Sequence, residues 1–294
     1  MPLLEILEFN EGKGAGAVLD PPVVRRDSLP RAVLSQLKEL DLDLGTALAK
    51  HVAVLEHLVL APRLQFCLQS YVLSPASADL VAVHCVLCSY LQLSFKNELP
   101  NDVKIIMDRD YILVYLSKDS RKFTFKFEFY DDVPDMSVFL EPISLISLEN
   151  SARLSINING VALAATDTAL SRIVLSSASI KELHTTAYSL RFLLSLSMST
   201  DTILFPILKL LRLDGPQEVA PVLDFLSRRY MQEAPIQGLD FCQYQWARSC
   251  DFQSLERFNG LRVFWKGNGG STKEYTCGSG NAQVLDFTQN LSEP

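Results

Sequence analysis

Between Lys122 and Tyr130 apolar and polar residues alternate without a break. Phe123, Phe125, Phe127 and Phe129 fall on one side of an extended chain, and Lys122, Thr124, Lys126 and Glu128 on the other. Side chains of a strand point alternately to its two faces, so this run predicts a half-buried strand. Two shorter runs, Val103–Met107 and Tyr111–Ser117, precede it. Asp108-Arg109-Asp110 and Lys118–Arg121 read as the turns of a three-strand antiparallel meander.

Before residue 100 the apolar period is helical. Ser28 is a suitable N-cap for a helix to Leu40, with Val33, Leu34, Leu37 and Leu40 on one face. Asp43 is placed to cap a second helix whose apolar face is Leu44, Leu48, Val52, Leu55 and Val59, ending or restarting at Pro62. Pro75 precedes a third, from Ala76 to Leu93, and residues 3–9 read as a strand. Asp131–Pro142 scatters apolar residues among four acids and two prolines, the composition of a linker.

Beyond it, Arg153–Asn157, Val161–Ala165 and Arg172–Ser176 read as strands, with Asn159-Gly160 as a tight turn. Ser179–Tyr188 reads as a helix, Phe192–Met198 as a strand, Thr202–Leu213 as a helix, and Gln217–Met231 as a helix with Pro221 in its first turn. A second meander closes the chain: Leu261–Lys266, Thr272–Cys277 and Ala282–Thr288, turned at Asn268-Gly269 and Gly278-Ser279-Gly280. The expected fold is α+β in two halves, a helix-rich 1–142 and a mixed 143–294, each ending in a meander. This is an echo of architecture without a sequence repeat.

Composition narrows the function. The 294 residues are 48% hydrophobic, with 48 leucines, which excludes a disordered or collagen-like chain. A net charge of −7 argues against a surface that binds polyanions everywhere, because phosphate neutralisation supplies most of that affinity. Nucleic-acid contact would need a local basic face. The candidates are Lys122 and Lys126, beside Lys118 and Arg121 around one hairpin; Lys209 and Arg212 on one helix face; and Arg228-Arg229. Each is also an ordinary solvated face. Six thinly spread cysteines suit reduced thiols and an intracellular, nuclear or cytoplasmic protein. The N-terminus lacks the pattern of a signal peptide. Leu80–Phe95, the longest stretch free of Asp, Glu, Lys and Arg, is too short to span a bilayer, so no membrane role is expected.

No catalytic constellation emerges. Gly12, Gly14 and Ala17 fit a dinucleotide fingerprint, but Pro21-Pro22 stands where its helix belongs, so a glycine-rich loop accounts for them. Cys85 and Cys88 form a CxxC without a second pair, in an apolar helix where buried thiols are common. Asp131, Asp132 and Asp135 fit a solvated linker better than a metal site. His184 and Cys277 are the one base and nucleophile a thiol enzyme could use. No metal and no small-molecule cofactor is expected.

Arg153–Ser176, with its turn through Ala165-Thr166-Asp167, resembles a run in DNA sliding-clamp subunits, of the checkpoint type in particular. There an apolar strand, a small-residue and Asp turn and a second strand lead into a short helix, a strand and a longer helix. Ser179–Tyr188, Phe192–Met198 and Thr202–Leu213 are similar in order, and the 103–130 meander is similar to the end of a clamp half. Asp131–Pro142 then falls where clamps place their interdomain connector. Its Val133, Met136, Val138, Phe139 and Leu140 are the candidate partner contacts. The resemblance implies a two-domain ring subunit acting in DNA replication, repair or checkpoint signalling. The expectation is therefore a non-enzymatic interaction subunit of a hetero-oligomer, with DNA as a further partner. A scaffold or viral host-interaction protein without a nucleic-acid role is the alternative, and a thiol enzyme the remote one.

Overall fold

The computed structural model describes residues 4–10, 30–45, 48–62, 64–72, 77–95, 98–130, 135–159, 167–214, 218–241, 251–266 and 270–287. It is α+β, and the chain forms two compact units: residues 1–148 with 160–176, and residues 149–159 with 177–294. No helix among the described residues is long and apolar enough to cross a membrane.

The first unit is built on strands β1 (Ile6–Asn10), β3 (Glu39–Asp43), β5 (Gln65–Val72), β6 (Asp102–Met107), β7 (Tyr111–Lys118) and β8 (Arg121–Phe129). They lie in the order β1-β3-β5-β8-β7-β6, and a separate parallel pair joins β2 (Ala32–Leu34) to β4 (Leu58–Leu60). The meander β6-β7-β8 is antiparallel, as its alternation predicts. Its last strand then pairs in parallel with β5. Phe123, Phe125 and Phe127 are fully buried; Phe123 stacks on Phe66 at 4.8 Å, and Phe127 meets Phe139 at the same distance.

The helices of this unit are α1 (Leu48–Leu55), α2 (Ser77–Phe95), α3 (Ser137–Ser144) and α4 (Asp167–Ser176). The long helix expected from Ala76 is α2. The hydroxyl of Tyr90 in α2 donates to the carbonyl of Leu55 at 2.7 Å, anchoring α2 to α1.

Several expectations are corrected here. The helix expected over 28–40 gives way to β2 and β3, because Glu39-Leu40-Asp41-Leu42-Asp43 alternates strictly and pairs with β5, burying Leu40 and Leu42. The second expected helix is reduced to α1, and Leu58–Leu60 is a strand. The linker of 131–142 contains the start of α3. Asp135 accepts a hydrogen bond from the Ser137 amide at 2.9 Å, and Met136, Phe139, Leu140 and Ile143 are buried at helical spacing. Arg172–Ser176, expected as a strand, is the end of α4, whose Ala169, Leu170, Ile173 and Val174 are buried.

The second unit is built mainly of parallel strands with helices between them, and keeps two of the three strands of the expected second meander. Its strands are β9 (Arg153–Ile158), β10 (Glu182–Thr186), β11 (Leu210–Asp214), β12 (Gly238–Asp240), β13 (Arg262–Lys266) and β14 (Thr272–Thr276), adjacent in that order. The first five are parallel; only β13-β14 is an antiparallel hairpin, as expected. Helices α5 (Ala187–Thr200) and α6 (Val219–Met231) follow β10 and β11. The Thr186 side chain caps α5 by accepting from the Ser189 amide, and Pro221 sits in the first turn of α6.

Leu154, Leu183, Leu211 and Leu239 pair in register across β9–β12, and Val263 of β13 continues the row. All five are buried. Their sequence spacings are 29, 28, 28 and 24 residues. Ile180, Leu208 and Ile236 lie three residues before the row, and Ile156, Thr185, Leu213, Phe241 and Trp265 two residues after it. Each of these is buried as well. The row and its flanking buried positions thus recur at a near-constant period of 28 or 29 residues from β9 to β12.

Four further expectations are corrected. Ser179–Tyr188 holds β10 rather than a helix, Phe192–Met198 lies inside α5, and the helix expected over Thr202–Leu213 ends in β11. Residues 282–285 form a single 3-10 turn and no strand. In β10 and β11 the leucines pack in register with the neighbouring strand, which overrides the local period. The expectations for Gly12–Ala17, Ser28, Asp131, Asp132, Val161–Ala165, Asn268-Gly269, Cys242 and Cys250 lie outside the described residues.

Candidate functional site

Alternation along the parallel strands sends one set of side chains to the helices and the other to the opposite face. On that second face the register aligns Ser155, His184, Arg212, Asp240 and Phe264 in one row. One residue pair further along the strands, Thr186 lies beside Asp214. One pair back, Glu182 lies between Arg153 and Leu210, followed by Gly238 and Arg262. Gly238 leaves room for Leu210 and Phe264: a Cβ there would stand 2.9 Å from Leu210 Cδ1 and 3.4 Å from Phe264 Cε2.

The charges of the face are interleaved. Arg212 lies 3.6 Å from Glu182 on one side and 3.6 Å from Asp240 on the other. His184 Nε2 is 2.7 Å from Asp214 Oδ2, and Asn157 Nδ2 donates to the same oxygen at 3.5 Å. Arg262 pairs with Glu274 of β14 at 2.6 Å.

Four buried side-chain atoms here have no hydrogen-bond partner among the described residues: Ser155 Oγ, Asn157 Oδ1, His184 Nε2 and Arg212 Nε. The short approach of His184 to Asp214 is an ion-pair distance without hydrogen-bond alignment. His184 Nε2 and Arg212 Nε face carboxylate oxygens at 2.7 and 3.6 Å, so the two left wholly unpaired are Ser155 Oγ and Asn157 Oδ1, each at a cost of about 1–3 kcal/mol. They offer a hydroxyl and an amide carbonyl to whatever lies on the sheet.

The residues expected to touch nucleic acid do not form one basic patch. Arg212 stands between two acids on the sheet face. Lys209, expected beside it on a helix, is exposed just before β11. Arg228 donates to the hydroxyl and carbonyl of Ser197 at 2.8 and 2.9 Å. Arg229 is buried, 3% exposed, and donates to the carbonyls of Leu204 and Phe205 at 2.6 and 3.2 Å. Burial holds its guanidinium down at about 10. In the first unit Lys122 is exposed, and Lys126 pairs with Glu128.

Of the expected partner contacts, Met136, Phe139 and Leu140 are core residues of the first unit, and Val138 is half-buried. The Val138 carbonyl accepts a hydrogen bond from His84 Nδ1 at 3.1 Å. Val133 lies outside the described residues. His184 and Cys277 are not brought together: β10 and β14 are four strand steps apart, about 19 Å. Cys277 is buried, and burial followed by the charge of Glu256 pushes its thiol up to about 12. Cys67 is likewise raised to about 12, by burial and then Asp41. Neither is an activated thiolate.

Sequence reasoning did not single out Ser155, Asn157, Glu182, Arg212's acidic neighbours or the sheet-face role of His184. The available signal was the recurrence of Ser155, His184, Arg212 and Asp240 at spacings of 29, 28 and 28, one residue after each ladder leucine. No family model matches this chain, and neither a curated protein nor a solved structure matches it.

Proposed function

We propose that this chain is a non-enzymatic interaction subunit of a multiprotein assembly, and that an extended segment of a protein partner lies on the open face of β9–β13. The observation that carries this is the row of polar side chains on that one face, in which Ser155 Oγ and Asn157 Oδ1 have neither a hydrogen-bond partner nor an ion pair among the described residues. An extended polypeptide offers N–H donors and C=O acceptors in alternation. Asn157 Oδ1 is an acceptor, Arg212 Nε a donor, and the Ser155 hydroxyl either. Repeat sheets of this kind present long continuous surfaces, which suits a long, shallow contact better than a small-molecule pocket. Arg212 and Arg262 on the face already have carboxylate neighbours, and the chain carries −7 overall, so a protein segment is favoured over a polyanion. Unpaired Cys67, Cys85, Cys88 and Cys277 suit an intracellular setting.

The test is native mass spectrometry of the tagged chain purified gently from its own cells. The wild type is expected as a hetero-oligomer. A His184→Gln, Arg212→Gln double variant is expected to lose the partner at least tenfold while still unfolding cooperatively, and Lys209→Glu to keep it. Retention by the double variant removes this face as the contact. DNA association that weakens and becomes less salt-dependent on reversing Lys209 would support the clamp-type reading instead.

A further inference from the structure

We infer that His84 and Cys88 of α2 form a two-ligand chelate for a thiophilic divalent cation such as Zn2+ or Cd2+. Residues four apart on a helix share a face, and here Cys88 Sγ lies 3.4 Å from His84 Nε2. The tautomer is fixed by the other ring nitrogen. Its neighbour, the Val138 carbonyl at 3.1 Å, can only accept, so Nδ1 carries the proton and Nε2 presents its lone pair to the sulfur. A backbone carbonyl holding the far N–H of an imidazole is the common outer-shell arrangement of metal-bound histidines.

The spacing agrees with the chemistry. Zinc bonds of about 2.3 Å to sulfur and about 2.05 Å to nitrogen, at a near-tetrahedral angle, place the two ligand atoms about 3.5 Å apart. The thiol proton now lying between them would be exchanged for the metal: Cys88–SH and M2+ give Cys88–S–M and one H+, with no change of oxidation state. No group of three or more His, Cys, Asp or Glu side chains suited to a metal ion occurs among the described residues, so water fills the remaining positions. Cys85, three residues before Cys88 and exposed, is left outside the chelate. α3 takes part because Val138 belongs to it, so loading the site ties α2 to α3 through the His84 ring.

The experiment titrates the full chain with Cd2+ near neutral pH and follows the ultraviolet sulfur-to-cadmium charge-transfer band, a readout of the thiolate–metal bond. The expected result is a saturable, one-equivalent band absent from Cys88→Ser, weakened at least tenfold in affinity in His84→Gln, and unchanged in Cys85→Ser. Glutamine keeps an N–H for the Val138 carbonyl, so His84→Gln separates ligand loss from helix damage; thermal unfolding of the metal-free variants checks folding. One proton released per metal is expected in weakly buffered solution. Absence of the band, its persistence in Cys88→Ser, or its dependence on Cys85 overturns the proposal.

Discussion

Leu211→Ala is expected to cost about 2–5 kcal/mol of unfolding free energy, read as a lower midpoint in urea denaturation. Leu211 is fully buried at the centre of the in-register row, between Leu183 and Leu239. Its removal takes apolar area out of the core and leaves a cavity that strands fixed on both sides cannot close. In a repeat array each unit is stabilised mainly by its neighbours, so the damage reaches β10 and β12 as well. Hydrogen exchange should then quicken in those strands together, not in β11 alone. The contrast is Met231→Ala at the end of α6, where the side chain is 83% exposed and the change should stay within about 0.5 kcal/mol. Equal effects at the two positions would mean that the leucine row does not hold this sheet together.

The second large effect is expected at Gly278. Its φ is +87°, in the left-handed region, and a Cβ there would stand 2.3 Å from Asn259 Oδ1 and 3.3 Å from Asn259 Cα. Gly278→Ala therefore combines backbone strain with overpacking, about 2–5 kcal/mol together. Gly280 has a similar φ of +89° and open space around it, so Gly280→Ala isolates the strain at about 1–2 kcal/mol. Thermal unfolding of the two variants side by side checks the ordering; a smaller loss at 278 than at 280 would contradict it. The turn matters because Gly260 donates to the Cys277 carbonyl at 3.0 Å, and Cys277 donates to that of Leu261 at 2.9 Å, which seats β14 against the entry to β13.

Glu256 ties the same turn from outside, accepting from the Gly280 amide at 2.7 Å and the Tyr275 hydroxyl at 2.9 Å. The Gly280 amide first, and then Tyr275, hold its carboxyl below the ordinary value of 4.5. The unfolded chain thus binds this proton more readily, and the contribution of Glu256 is complete above pH 4.5 and lost as pH falls through its lower folded value. Glu256→Gln is expected to flatten the acid limb of a stability-against-pH curve in that window. An unchanged acid limb would show that the turn does not depend on this carboxylate.

How much of this was legible follows from where the periods are unambiguous. The Phe123–Phe129 alternation and the long helix α2 are strong over many residues, and both stand. Met136, Phe139, Leu140 and Ile143 also carry a helical stripe, but four acids and two prolines around them obscured it. The local periods of the second unit are ambiguous for a different reason. Strands buried on one side by helices and helices buried on one side by strands both use leucine, and windows of five or six residues fit either period. Leu190, Leu193 and Leu196 of α5 and Leu211 and Leu213 of β11 differ in spacing by one residue. What separates them is the long period, Ile180 to Leu208 to Ile236, which only a comparison at 28 residues reveals. The polar face shares that obscurity: His184 and Asp214 meet across two strands, 30 residues apart in the chain, and neither carries a local motif.

The parallel sheet of the second unit also makes length an adjustable quantity. A duplicate of residues 182–209 spliced in after Lys209 would carry one strand, one helix and the turn into the next strand. It would offer its own Leu183 to the row on both sides. Because β14 closes one end with an antiparallel hairpin and exposed Lys273 and Glu274, growth by edge-to-edge stacking is blocked there, and added copies are confined to the interior. Each copy would widen the open face by one strand, about 4.8 Å, and add another Glu, His and Thr to it. The footprint of this surface is thus set in 28-residue increments, a dimension that gene duplication can change without redesigning the core.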